Sequence, residues 1–301
     1  MRDSKRADRL LEAARLRDPV GFEAAEAARI LAAGPPGSPC PPSKPRFDVS
    51  KPQLICVIGD AHCTPEADNE RFTILGRIIA KRRPAVVVSM GDFSSLSSLG
   101  KFDRGRLAGE GQRYVDEVRH TWDALARIDA ELKPLRRSYD PYRVAIAGNH
   151  DEERYRSFWN DNPSTMGSVH WDQLGFRHYG WEWIPFLATH RVQGFAFVHY
   201  VQVKGKRSAM SRKYMGEALI SEALEPVIVG HNHLLDMRVR RSALGGRAYL
   251  SASAGCYFEH REAWAGQDND RFDRGLLWLH GAWGGWADPE WTGIDRLRRG
   301  V

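Results

Sequence analysis

The stretch YRVAIAGNHD, residues 142–151, passes from an apolar run directly into a glycine, an amide, an imidazole and a carboxylate. Its apolar part, residues 142–147, has the length and composition of a buried strand. Glycine permits a sharp turn after such a strand and lets the next side chain enter the crevice at its end. A hydrophobic core has no need for Asn149, His150 and Asp151 here. The stretch therefore predicts a strand that ends in a metal site or a catalytic site.

Four further apolar runs end in polar residues in the same way, at residues 53–59, 85–90, 195–198 and 226–229. In open α/β sheets, ligands bind in the crevice beyond the carboxyl ends of the strands. The polar residues at the five predicted strand ends are Asp60, His62, Asp92, Asn149, His150, Asp151, His199, His231 and His233.

Imidazole and carboxylate groups suit a pair of divalent ions, and the absence of cysteine from the set argues against a purely structural zinc site. We expect two ions, with Mn as the first choice and Fe, Zn, Ni or Co as alternatives. Two ions about 4 Å apart need an anionic bridge, which a carboxylate can provide.

The order of the elements predicts the fold class. Helical spacing at residues 69–82 and 110–134 lies between the first three strands, and this alternation is typical of an α/β sheet. After residue 180 the signal changes to short strands with few helices between them. The predicted strands there are residues 183–187, 195–200, 226–229, 238–241, 248–254 and 276–279. We expect the second half to complete a sandwich of two sheets flanked by helices.

The motifs DxH, GD, GNHD, H and GHxH, in this order over residues 53–235, resemble those of the calcineurin-like metallophosphoesterases. Each motif alone is a weak signal, but five in sequence, each after a strand, are highly specific. The resemblance implies a four-layer α/β/β/α sandwich with a dimetal centre, here preceded by a short helical extension.

The resemblance also implies a role for each residue of the site. Asp60, His62 and His233 would hold the first ion, Asn149, His199 and His231 the second, and Asp92 would bridge both. The implied reaction is in-line attack of a metal-bound hydroxide on phosphorus. His150, oriented by Asp151, would assist the leaving group.

These motifs predict a metal-dependent phosphoester hydrolase. The expected substrate is a phosphodiester in nucleic acid (DNA or RNA) or a nucleotide. One alternative is a phosphomonoesterase that acts on a small metabolite or a phosphoprotein. An alternative of another class is a DNA- or partner-binding protein that uses the N-terminal helices and keeps the metals for structure.

A narrower similarity lies in GDFSSLSSLGKFDRGR, residues 91–106, in the GQRY that follows, and in the later GCYFEHREAW. This pattern is similar to metallophosphoesterases carried by bacteriophages. Six cations are candidates for binding a substrate phosphate: Lys101, Arg104, Arg106, Lys204, Lys206 and Arg207. Phosphate contacts dominate nucleic-acid affinity, while solvated loops are the alternative explanation. Tyr257, Phe258 and Trp264 are candidate aromatic contacts to the substrate.

The N-terminal region has a separate character. We expect a helical N-terminal extension over residues 1–33, with helical spacing at residues 7–33 and a break at residues 18–21. Residues 34–50, which include GPPGSPCPPSKPR, predict an extended linker. The metallophosphoesterase domain is expected over residues 51–301. We expect the N-terminal helices to serve packing or homo-oligomer formation, with DNA binding as the alternative.

Composition indicates the cellular location of the protein. No apolar run approaches the roughly 18 residues that span a bilayer, and the N-terminus lacks the apolar core of a signal peptide. Four scattered cysteines make no disulfide framework. We expect a cytoplasmic protein without membrane contact, in the host cytoplasm if it is phage-encoded. The net charge of +6 is compatible with a polyanionic partner.

Overall fold

The computed structural model describes residues 12, 15–16, 18–101, 111–203, 209–210 and 214–300. The chain divides after Gly37 into two compact units. Among the described residues, no helix combines the length and the apolar character needed to cross a membrane.

The first unit contains helix α1, Pro19–Ala33. Asp18 caps this helix, because its Oδ1 accepts a hydrogen bond from the backbone N–H of Gly21 at 2.9 Å. Pro19 stands at the first helical position, where its missing N–H costs nothing. Residues 18–21 therefore start a helix, and this is the physical origin of the predicted break. Most of the helix expected before the break lies outside the described residues.

The second unit contains two sheets with helices around them. In chain order its strands are β1 (Gln53–Ile58), β2 (Val86–Ser89), β3 (Tyr142–Ile146), β4 (Glu182–Ile184), β5 (His190–Val192), β6 (Phe195–Phe197), β7 (Val227–Val229), β8 (Leu235–Arg241), β9 (Ala248–Ala254), β10 (Gly275–Trp283) and β11 (Trp286–Gly293). The α-helices are α2 (Glu70–Arg82), α3 (Tyr114–Leu132), α4 (Arg154–Asp161), α5 (Met215–Ala223) and α6 (Ile294–Arg298).

The strand order determines which strand ends lie at the same sheet edge. One sheet has the order β11-β10-β1-β2-β3-β4, and the other β5-β6-β7-β9-β8. Strands β1 to β4 are parallel to one another, and so are β6, β7 and β9. The carboxyl ends of β1, β2 and β3 therefore meet at one edge of the first sheet, and those of β6 and β7 at one edge of the second.

The two sheets pack face to face over a hydrophobic core. Alternate side chains of a strand point to opposite faces, and Ile55 and Val57 of β1 pack with Phe197 and Leu250 of the second sheet. Helix α5 covers the outer face of that second sheet. On the outer face of the first sheet, α2 and α3 pack together. These layers confirm the expected α/β/β/α sandwich.

Part of the predicted linker belongs to the second unit. The backbone N–H of Cys40 donates to the carbonyl of His178 at 2.7 Å, and that of Ser43 donates to the carbonyl of Gly180 at 3.0 Å. The Ser43 hydroxyl accepts from the backbone N–H of Arg143 at 2.9 Å. Residues 40–43 are thus fixed beside β3 by hydrogen bonds.

Candidate metal centre

The structure brings the predicted ligand residues together where the strands end. In the part of the chain that the structure describes, three groups of His and Asp side chains each have ligand atoms that all lie within 4.8 Å of one another. These groups are Asp60 with His62 and His233, Asp92 with His199 and His231, and His62 with Asp92 and His150. Asn149 joins the second group, since its Oδ1 lies 3.0 Å from Nε2 of His199. Asp92 and His62 each belong to two groups, so the cluster is continuous.

The ring nitrogens and carboxylate oxygens of this cluster lie close to one another. Their lone pairs repel each other unless a cation lies between them, so the cluster suits divalent cations. Nε2 of His62 lies 3.1 Å from Nε2 of His233, and Oδ2 of Asp60 lies 3.0 Å from the same nitrogen. Oδ2 of Asp60 and Nδ1 of His231 are buried without a hydrogen-bond partner among the described residues. Buried polar atoms of this kind are costly unless another group satisfies them. Nitrogen and oxygen donors in this number suit transition ions.

The backbone is strained at four positions of the cluster. His62, Asp92, His231 and His233 have φ angles of 40°, 45°, 68° and 57°. For residues other than glycine, the left-handed region costs on the order of 1–3 kcal/mol per residue. Strain at four neighbouring residues is consistent with a site that is held in place by the sandwich around it.

Two glycines allow the loops to approach each other closely. A Cβ atom on Gly148 would lie 2.1 Å from Oδ1 of Asp92, and one on Gly91 would lie 2.6 Å from Nδ1 of His199. Gly91 also has a φ of 101°. The glycines that precede Asp92 and Asn149 are therefore required by space at the site.

Burial and the negative charge of Asp92 determine the pKa values of the histidines in the cluster. Burial lowers the pKa of His62 well below its usual value and also lowers the pKa of His231. Burial alone would raise the pKa of Asp92, but the imidazoles of His150 and His199 outweigh it and hold the pKa well below the usual range. Burial likewise opposes the charged form of His199, yet the Asp92 carboxylate, 3.4 Å away, raises the pKa of that imidazole to about 9.

His150 is held on three sides. Its backbone N–H donates to Oδ1 of Asp92 at 2.7 Å, and its Nδ1 lies 3.0 Å from the carbonyl oxygen of Ser95. Because a carbonyl only accepts, Nδ1 carries the proton. Nη2 of Arg154 lies 3.2 Å from Nε2 and donates to its lone pair. Burial and the Arg154 charge lower the pKa of His150 to about 4.

The structure corrects the expected role of Asp151. Its two oxygens accept hydrogen bonds from the backbone N–H groups of Phe93, Ser94 and Gly148 at 3.1–3.2 Å. The group that faces Nδ1 of His150 is the Ser95 carbonyl. Asp151 therefore ties the loop after β2 to the loop after β3 and does not orient the imidazole.

The predicted substrate contacts have mixed outcomes. Lys101 is exposed and lines a groove beside His150, whereas Arg104, Arg106, Lys204, Lys206 and Arg207 lie outside the described residues. Tyr257 and Phe258 are fully buried, so the expectation that they touch a substrate is wrong. Their rings instead complete the core below the site, where the Tyr257 hydroxyl donates to the carbonyl of Arg71. Trp264 is 64% exposed.

Two charged residues at the site were missed from the sequence. Arg154 follows His150 by four residues, a spacing that places them on the same side of a helical turn. Glu262 has Oε1 at 3.8 Å from Nδ1 of His62, and its Oε2 accepts from the indole N–H of Trp264 at 3.1 Å. The sequence around Glu262 carries no signal for this position, because the contact joins segments 200 residues apart.

The family comparison agrees with this geometry. The model of the calcineurin-like phosphoesterase family matches residues 54–251, which is more than half of the chain. The protein therefore belongs to the calcineurin-like phosphoesterases. Members of this family are metal-dependent phosphoester hydrolases with a binuclear divalent metal centre, and the His and Asp clusters of this chain provide the residues for one.

Curated proteins and solved structures were also compared with the chain. No curated protein matches the chain significantly. One matching solved structure is 10% identical, over 81% of this chain and 99% of the other, with a TM-score of 0.39.

Metal binding is expected to stabilise the fold. A ligand that binds only the folded state stabilises it by about 2.7 kcal/mol at 100 times its Kd, which corresponds to a rise in Tm of several degrees for a domain of this size. Thermal unfolding of chelator-treated protein, with and without added Mn, measures the shift. The shift should persist in His178→Asn, which is outside the cluster, and should shrink in His233→Ala. An equal shift in both variants would contradict the assignment.

Glu117 gives a pH-dependent prediction away from the metals. Its carboxylate accepts hydrogen bonds from Ser97 and Ser98, next to the loop that supplies the Ser95 carbonyl. Burial raises the pKa of Glu117 from 4.5 to about 7, and these hydrogen bonds offset only part of the effect. The neutral form is thus favoured in the folded state. The free energy of unfolding therefore has its full value, as far as Glu117 is concerned, below pH 4.5. It falls as the pH rises through about 7, by about 3 kcal/mol in total, because the folded state resists ionisation of this carboxyl group.

Urea unfolding of metal-free protein between pH 4.5 and 8 tests this prediction. The stability of the wild type relative to Glu117→Gln should fall across that range. The exposed control Glu222→Gln should follow the wild type at every pH. A wild-type curve parallel to that of Glu117→Gln would show that Glu117 does not titrate in this way.

Proposed function

We propose that this hydrolase is a phosphodiesterase that acts on nucleic acid or nucleotides. The observation that carries the proposal is a pair of adjoining cavities. One, of about 450 Å³, lies over the metal ligands, and the other, of about 530 Å³, extends from it on the side of His150. Both are lined by Asn149, His150 and Trp264. A phosphodiester has an ester arm on each side of phosphorus, and two connected cavities can take both arms.

The ligand assignment rests on the first two groups of side chains, on Asn149 beside His199, and on the proximity of Asp92 to His62 in the third group. We assign Asp60, His62 and His233 to the first ion, Asn149, His199 and His231 to the second, and Asp92 to both. The ions, Mn in our proposal, would lower the pKa of water and neutralise charge on the phosphate. The nitrogen and oxygen donors support Mn and are also compatible with Fe, Zn, Ni or Co.

The reaction needs a proton on the leaving oxygen. In hydrolysis a water oxygen bonds to phosphorus, the P–O bond to the leaving arm breaks, and the freed oxygen takes up a proton. We assign this proton transfer to Nε2 of His150, because Nδ1 is committed to the Ser95 carbonyl. The low pKa of His150 disfavours the required cation before substrate binds. A bound phosphate brings negative charge to Nε2 and favours it, while Arg154 can donate to a phosphate oxygen.

Two finer expectations stay predictions. The similarity to bacteriophage enzymes rests on residues 91–106 and the two motifs quoted with them, and residues 102–110 lie outside the described part of the chain. The role of Lys204, Lys206 and Arg207 in binding a phosphate chain also rests on sequence alone. Replacing these three residues with alanine should weaken DNA binding and reduce its salt dependence.

The N-terminal unit is proposed to serve association between copies, with DNA binding as the alternative. Deletion of residues 1–37 retains Cys40 and Ser43, with their hydrogen bonds to His178, Gly180 and Arg143 inside the second unit. Loss of an oligomer with hydrolysis intact would support association. Loss of DNA binding with hydrolysis intact would support recognition, and no change in either would exclude both roles.

A gel assay tests the substrate class. Apo-protein reloaded with Mn is mixed with end-labelled single- and double-stranded DNA. We expect fragments in the presence of Mn and none after addition of chelator. Intact DNA, together with turnover of bis(p-nitrophenyl) phosphate by the same preparation, would exclude DNA and leave RNA, nucleotides and phosphomonoesters as the substrates to test. Cleavage that continues in chelator would contradict the metal-dependent mechanism.

A further inference from the structure

The groove beside His150 adjoins the cavity over the metal ligands. Its lining includes Leu99, Lys101, Arg154, Ser157 and Trp264, and it meets the metal-ligand cavity at Asn149 and His150. In the proposed reaction the leaving oxygen lies next to His150. The arm attached to that oxygen must then extend away from the metal ligands and into this groove.

Trp264 is an exposed aromatic side chain that is fixed in position. Its indole N–H donates to Oε2 of Glu262 at 3.1 Å, and its ring centroid lies 5.9 Å from that of His233. Even so, the side chain is 64% exposed. A large apolar ring that is held by its polar atom and left open to solvent is suited to stacking. It lines both cavities, so it stands where a bound diester crosses from one to the other.

The described residues that line the groove carry a small net charge. Among its described lining residues, the charged ones are Lys101, Glu153 and Arg154, which leaves an excess of one positive charge. A groove that tracks a run of phosphates needs several cations. One extra cation beside one exposed aromatic ring suits a single nucleoside arm, with its base on the ring.

We propose that the groove beside His150 is a subsite for the leaving arm of the diester, which stacks its nucleobase on Trp264 and hydrogen-bonds through Arg154. This inference rests on the proposed phosphodiesterase function. It specifies a nucleoside as the leaving group and names Trp264 as the residue that selects it. A stacked base contributes roughly 1–3 kcal/mol, which corresponds to about 5- to 150-fold in kcat/KM.

Matched dinucleotides test the subsite. Dithymidine phosphate is compared with two analogues that lack the base on one side or the other of the phosphate, and the products identify which arm leaves. Removal of the leaving-side base should lower kcat/KM of the wild type about 10-fold. Trp264→Ala should cause a similar loss with the intact dinucleotide, and the two losses should not add. Trp264→Phe, which keeps an aromatic face, should recover most of the activity.

Trp283→Ala is the matched control, because Trp283 is also exposed and does not line the groove. It should behave as wild type. Equal losses for both analogues, or additive losses in Trp264→Ala, would overturn the subsite while leaving the phosphodiesterase intact. If bis(p-nitrophenyl) phosphate is not hydrolysed, the proposed function fails separately. In that case, calorimetry with thymidine 5′-monophosphate tests whether the subsite binds a nucleoside. Binding tighter than that of inorganic phosphate would support the subsite, and binding no tighter would overturn it.

Discussion

Replacing Asp92 with asparagine is expected to abolish hydrolysis and to weaken binding of both metal ions. Asp92 belongs to two of the three groups of ligand atoms, and its Oδ1 also accepts from the backbone N–H of His150. An asparagine side chain keeps the size but loses the negative charge that, in the proposed assignment, would serve both cations. Loss of one metal position removes several kcal/mol of transition-state stabilisation, so the rate should fall roughly 10³-fold or more.

Turnover of bis(p-nitrophenyl) phosphate and the metal content after dialysis measure both effects of Asp92→Asn. Asp288→Asn is the matched control, since Asp288 is exposed on β11, and it should retain wild-type values. Thermal unfolding of the metal-free variants establishes that both are folded. Full activity in Asp92→Asn with two ions bound would contradict the bridging role.

Replacing His150 with asparagine is expected to reduce kcat and leave metal binding unchanged. The side chain is assigned to the leaving oxygen and to neither ion, and a positioned proton donor contributes about 10²- to 10⁴-fold. The size of the loss should depend on the leaving group. An alkoxide needs the proton, whereas p-nitrophenolate leaves readily without it.

A series of diesters with leaving groups of increasing basicity separates this role from a structural one. The ratio of wild-type to His150→Asn rates should rise steadily along the series. His178→Asn, which replaces a histidine outside the cluster, should give a ratio near one for every substrate. A loss that is constant across the series would indicate that His150 only holds the loop in place.

The sequence was sufficient to predict those site residues that directly follow a strand. Strands β3 and β9 are compact apolar runs with a clear boundary, and their observed limits lie within a residue of the predicted ones. Because parallel strands end at the same edge, locating the strands was sufficient to bring Asp60, Asp92 and Asn149 together. The parallel pairing of β6 and β7 did the same for His199 and His231.

Features that depend on contacts between distant segments could not be predicted in this way. Strand β8 begins three residues earlier than expected, because Leu235, Asp236 and Met237 pair with residues 252–254 of β9, a contact that the local sequence does not reveal. The three backbone donors to Asp151 come from two separate loops. Burial of Tyr257 and exposure of Trp264, only seven residues apart, likewise follow from packing that local composition does not encode.

Titration of the metal-free protein with Mn tests the central claim most directly. Turnover of bis(p-nitrophenyl) phosphate and the number of bound ions are measured in the same samples. The account predicts that activity is absent without metal, rises with added Mn and reaches its maximum at two ions per chain. Full activity at one ion per chain, or turnover in the presence of excess chelator, would contradict a binuclear phosphodiesterase.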